Sequence, residues 1–176
     1  MKLFAASLAL AAVLLAGCAS APKASAPTYV AVARYRAIAV EAVHISPTAS
    51  TLGAAERTAL EHKLQRALVD AIPAQARAAG AGPGVLSVEI TVTELDSSNP
   101  AVNALTTALL FLPMDRGGIT FDATFFDRPG VASIGSTTVR HRSHVTDLKG
   151  SYSRYGHAVD ALREWGAGLA ESLARS

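Results

Sequence analysis

Few side chains in this sequence are spaced for chemistry. His141 and His144 are the nearest thing to a metal pair, but strand residues three apart point to opposite faces, so the two cannot meet one ion in a strand. His44, His62 and His157 have no local carboxylate arrangement that suggests ligation. No metal is therefore expected. Glu89, Asp122 and Asp127 form an acid/base set only if neighbouring strands bring them together; otherwise they are strand-face and turn residues. Ser133-Ile134-Gly135-Ser136 lacks the Gly-x-Ser-x-Gly pattern that puts a nucleophile on a strained turn. Gly80-Ala81-Gly82-Pro83-Gly84 precedes a strand, whereas a phosphate-binding loop must precede a helix whose amides meet the anion. The expectation is a protein that is not an enzyme and carries no cofactor.

Cys18 is the exception. It is the chain's single cysteine, and it closes Leu15-Ala16-Gly17-Cys18 after a positive Lys2 and a 14-residue apolar stretch, Leu3 to Ala16, interrupted only by Ser7. Fourteen residues are too few for a transmembrane helix, which needs roughly 20. The motif resembles a bacterial lipobox. That resemblance implies a leader over residues 1–17, diacylglycerol on the Cys18 thiol, and a further acyl chain such as palmitate on the new amine. Two or more chains anchor durably at about 0.8 kcal/mol per buried methylene. Ala19 stands where an inner-membrane retention Asp would stand, so the expected place is the bacterial cell envelope, at the outer membrane facing the periplasm. Lipidation consumes the only thiol and excludes disulfide, thiolate and cysteine–metal chemistry within one chain.

Composition narrows the remaining classes. Removing residues 1–17 from the 176 leaves 159, suited to one compact domain, with 15 basic residues against 14 acidic once Lys2 is lost. Only Arg140-His141-Arg142 clusters basic charge, so no nucleic-acid partner is expected. Residues 18–28 read as the lipidated cysteine and a flexible spacer, ASAPKASAPT, whose ten residues reach at most about 35 Å. Residues 29–176 read as the folded domain.

The domain's elements follow from periodicity. Arg36 to Ile45 reads as a strand with imperfect alternation around Ala42. From Leu52 to Ile72, Leu60, Leu64, Ala67, Leu68 and Ala71 mark an amphipathic helix with Thr51 as N-cap and Pro73 as stop. Leu86, Val88, Ile90 and Val92 alternate with Ser87, Glu89, Thr91 and Thr93 in a half-buried strand. Asn99-Pro100 caps a short helix carrying Val102, Leu105, Leu109 and Leu112. Ile119 to Asp127 and Val131 to Arg142 form a hairpin around Arg128-Pro129-Gly130, and Tyr152, Tyr155, Val159, Leu162, Leu169 and Leu173 form the apolar face of a last helix. The expected fold is α+β: a small mixed β-sheet of about four strands with two main helices packed on one face, in the order β-α-β-(short α)-β-β-α.

Residues 96–132, DSSNPAVNALTTALLFLPMDRGGITFDATFFDRPGVA, together with the lipobox, the strand at Val85 to Thr93 and Gly117-Gly118 opening a strand, resemble the bacterial DUF3313 lipoprotein family, a domain of unknown function. Its strand after the paired glycines tends to carry an acidic residue, an Asp and a Thr-Gly turn. Asp122 and Asp127 match; Arg128-Pro129-Gly130 replaces the turn.

Two surfaces are left as candidates. The stretch from Ser97 to Met114 holds no charge, and its Val102, Leu105, Thr106, Leu109, Leu110 and Phe111 either pack over the sheet as core or form an exposed contact for a membrane or an envelope partner. Alternatively, Asp122, Arg140 and Arg142 supply polarity to a cleft between sheet and helix that takes a small ligand or cell-wall fragment. The leading expectation is a lipid-anchored binding or assembly subunit contacting another envelope component. Its partner and oligomeric state are left open.

Overall fold

A computed structural model describes residues 34–110, 115, 117–127, 130–142, 150 and 152–175. Cys18, the spacer, Phe111, Arg128-Pro129 and His144 lie outside them. Four strands, β1 (Ala37–Ile45), β2 (Val85–Asp96), β3 (Gly118–Phe126) and β4 (Gly135–Arg142), form one sheet in the order β1-β2-β3-β4. β1 and β2 are parallel, and the other two pairings are antiparallel. Among the described residues the α-helices are α1 (Ala54–Ala71), α2 (Pro100–Leu110) and α3 (Gly156–Ala174), so the mixed α+β arrangement expected from periodicity is the one observed.

Local chemistry sets the boundaries. α1 starts two residues later than Thr51 predicts: Gly53 is its N-cap, and the Gly53 N–H donates to Glu56 Oε2 at 3.3 Å. It stops where Pro73 requires, with Ile72 already extended at φ −83°, ψ 121°. The imperfect alternation near Ala42 is a β-bulge between Val40 and Ala42, which turns Glu41 toward Ser87, whose Oγ donates to Glu41 Oε1 at 2.8 Å. β4 begins at Gly135, four residues beyond Val131. Of the expected turn only Gly130 is described, at φ +76°, a conformation glycine adopts freely. Tyr152 and Tyr155 precede α3 instead of lying on it.

The core lies between the sheet and the α1–α3 pair. Leu60, Leu64 and Leu68 of α1 meet Val159, Leu162 and Leu169 of α3 over Ile38, Val88, Ile90, Val92 and Phe121. Trp165 stands edge-on to Phe121, with ring centroids 5.5 Å apart, so the odd-numbered side chains of β3 face α3. Its even-numbered ones, Thr120, Asp122 and Thr124, face the opposite side.

The chain enters the sheet at the pole formed by Ala37, Val85, Phe126 and Gly135. At the other pole, about 40 Å away along β2, lie Ile45, Asp96, Gly118 and Arg142. There β2 and β3 are joined by roughly twenty residues, where neighbouring antiparallel strands need only about 2–5. That excess is where α2 sits.

Candidate interaction surface

α2 faces the wrong way for a core helix. Asn103 is its one buried residue among those described, fully enclosed, while Val102, Leu105, Leu109 and Leu110 are 42, 62, 68 and 58% exposed. Each of these leucines, about two-thirds exposed, forgoes on the order of 1–2 kcal/mol that full burial would add. Among the described residues α2 makes no extended contact with any other element. Of the two readings of this segment, core over the sheet or exposed surface, Val102, Leu105, Leu109 and Leu110 follow the second.

A polar pin holds the helix in this orientation. Asn99 Oδ1 accepts the N–H groups of Ala101 and Val102 at 3.1 and 3.3 Å, the N-cap its position predicts. The Asn99 N–H donates to Asp115 Oδ2 at 2.6 Å. Asn103 clamps the backbone of the same residue: its Nδ2 donates to the Asp115 carbonyl and its Oδ1 accepts the Asp115 N–H, both at 2.8 Å. Buried amides are costly unless paired, so this double contact fixes which side of α2 turns inward. Ser98 ties the base of the helix to the segment before α3, its N–H donating to the Arg154 carbonyl and its Oγ to the Ser153 carbonyl, each at 3.0 Å. Tyr152 joins the exposed surface: it is 46% exposed, and its hydroxyl lies 3.1 Å from Thr107 Oγ1. Thr106 is half-buried, its Oγ1 donating to the Asn103 carbonyl.

The polar candidates are not brought to a cleft. Asp122, Arg140 and Arg142 share one face, but it is the face turned away from α1 and α3. Asp122 Oδ1 accepts from Thr138 Oγ1 at 2.6 Å, and Arg140 lies 3.6 Å from Glu94, which also accepts from Thr120 Oγ1 at 2.7 Å. Arg142 is exposed opposite Gly118. The sequence predicts these three between sheet and helix; period-two alternation places them outside, while the space between is filled by apolar side chains. Glu89, Asp122 and Asp127 do not converge: Glu89 is 3.8 Å from His44, and Asp127 accepts a hydrogen bond from the Tyr35 hydroxyl at the pole where the chain enters. Among the described residues no group of three or more His, Cys, Asp or Glu is placed to hold a metal ion.

Around Tyr35 lies a depression of about 400 Å³ lined by Tyr35, Gly82, Pro83, Gly84, Asp127 and Val131. Burial, then the hydrogen bond to Asp127, pushes the Tyr35 phenol above its ordinary range. Arg34 donates to the same hydroxyl and lies 3.3 Å from Asp127, so the cluster satisfies itself. Gly80 to Gly84 is the turn into β2 at this pole, with Gly84 at φ +72°.

The glycine pair opening β3 has a packing reason. A Cβ on Gly117 would lie 3.1 Å from His157 Cδ2 and 3.2 Å from the Asp96 carbonyl oxygen.

No helix among the described residues is long and apolar enough to cross a membrane. No curated protein matches the chain. Among solved structures it is similar to the PelC dodecamer of Paraburkholderia phytofirmans, at 12% identity over 80% of this chain and 90% of that one, TM-score 0.46. It is also similar to the hypothetical protein CT253 of Chlamydia trachomatis, at 10% identity over 81% and 99%, TM-score 0.46. Neither likeness is close enough to transfer an assembly or an activity. The model for "Protein of unknown function (DUF3313)" matches residues 25–169, most of the chain, and the chain therefore belongs to the DUF3313 family.

Proposed function

We propose that this chain is a lipid-anchored protein of the bacterial cell envelope, held at the outer membrane by acyl chains on Cys18 and facing the periplasm, which acts without catalysis by binding another envelope component through α2. The observation that carries the reading is the inverted helix: an uncharged α2 whose buried residue is Asn103 and whose Val102, Leu105, Leu109 and Leu110 face outward. Exposed contiguous apolar surface of this kind marks interaction sites. The anchor rests on the Leu15-Ala16-Gly17-Cys18 motif. It also lowers the affinity that α2 must supply, because confinement to a membrane surface raises the effective concentration of neighbours.

A photo-reactive residue at Leu110 or Leu105 of the full chain, activated in intact cells, tests this. The expected result is a discrete protein adduct. The same residue at Ser136 on β4 should give none. Absence of any adduct from α2, with the protein folded and localised, contradicts the reading.

A further inference from the structure

Building on the reading of α2 as a contact surface, we infer that the envelope component it meets is a second copy of this chain, seated antiparallel on α2 about a two-fold axis at Leu105. The helix is complementary to itself in shape. Val102, Leu105 and Leu109 form a ridge at spacings of three and four, and Ala101, Ala104 and Ala108 form a groove at the same spacings, displaced by one residue; all six are exposed. Ridges of one helix pack into grooves of another. With the axis at Leu105, Val102 meets the partner's Ala108 and Leu109 meets the partner's Ala101, so these two large side chains each face an alanine while Leu105 meets its own copy. A two-fold contact uses one patch twice, which is what a single helix carrying both ridge and groove supplies.

Charge favours the same occupant. Nothing from Ser97 to Met114 is charged, so two copies approach without repulsion. A lipid surface is the poorer match, because interfacial helices present Lys and Arg beside their apolar face, and α2 presents neither. Val102, Leu105 and Leu109 with the three alanines expose on the order of 400 Å² per copy, so a symmetric pair buries about 800 Å², the size of a weak contact. Anchoring makes a contact of that size sufficient. The spacer's reach of about 35 Å is close to the length of β2, so bodies lying along one membrane can meet at their α2 poles.

Disulfide trapping in the full, lipidated chain reads the geometry. With Cys18 acylated, an introduced cysteine is the only thiol. Leu105→Cys, on the axis, should oxidise to a covalent dimer in membranes. Val102→Cys alone should give several-fold less, and Val102→Cys combined with Ala108→Cys should restore the dimer. All three positions are exposed, and an unchanged melting temperature certifies the fold. A monomer with Leu105→Cys, or equal trapping by Val102→Cys alone, overturns the two-fold pairing. If the dimer is absent while the photo-reactive Leu105 variant captures a different protein, the second copy is refuted and the contact surface stands. If neither forms, both readings fall.

Discussion

Gly166→Leu is expected to lower the melting temperature by on the order of 10 °C, as followed by far-ultraviolet circular dichroism. Gly166 is buried in the middle of α3 where that helix crosses α1. A Cβ there would lie 2.6 Å from Leu68 Cδ1, 3.3 Å from the Leu68 carbonyl oxygen and 3.4 Å from Ala71 Cβ. Leucine has no space unless the helices separate, and overpacking of this kind costs about 1–3 kcal/mol or more, with a shift of about 2–4 °C per kcal/mol at this chain length. Gly166→Ala separates the causes. Alanine must still displace the fully buried Leu68 methyl, but it adds only one carbon and regains about 1 kcal/mol of helix propensity, so this variant should lose clearly less than Gly166→Leu.

Asn103→Leu should have the second-largest effect, and it divides α2 from the rest of the domain. Leucine removes the partners of both backbone groups of Asp115, and an unsatisfied buried group costs about 1–3 kcal/mol. It also removes the reason for α2 to turn Asn103 inward. The expected result is loss of hydrogen-exchange protection in residues 100–110, with protection of β2 and β3 retained. Asn103→Asp keeps the acceptor for the Asp115 N–H but loses the donor to its carbonyl, so its effect should be intermediate. Unchanged protection of α2 in Asn103→Leu would show that the clamp does not orient the helix.

Much of this fold is legible in the sequence because the signals are local. The alternation from Leu86 to Val92 and the spacing of Leu60, Leu64 and Leu68 each follow from one face of one element, and Asn99-Pro100 carries its own capping chemistry. The bulge at Ala42 leaves a trace as broken alternation without revealing its geometry. The orientation of α2 is a different case. A helix apolar on most sides has no unique inward stripe, so Val102, Leu105 and Leu109 read equally as core or contact. Asn103 decides between them, but only through Asp115, twelve residues on, and nothing local to the helix announces that pairing. Asp122, Arg140 and Arg142 lie on the two strands of a hairpin that the sequence shows. Which side of the sheet they occupy depends on where α1 and α3 pack, and that is a long-range fact.

The central claim is that the apolar face of α2 is covered in the cell although it is bare on the isolated domain. Thiol labelling of a Leu109→Cys variant of the full chain tests this most directly. Leu109 is 68% exposed, so the cysteine should react rapidly with a small maleimide once the protein is purified, diluted and dispersed in detergent. In intact membranes it should be protected several-fold, while Ser136→Cys, exposed on β4, labels equally in both states. Equal labelling of Leu109→Cys in membranes and in dilute detergent would contradict the account, because α2 would then face solvent where the protein works.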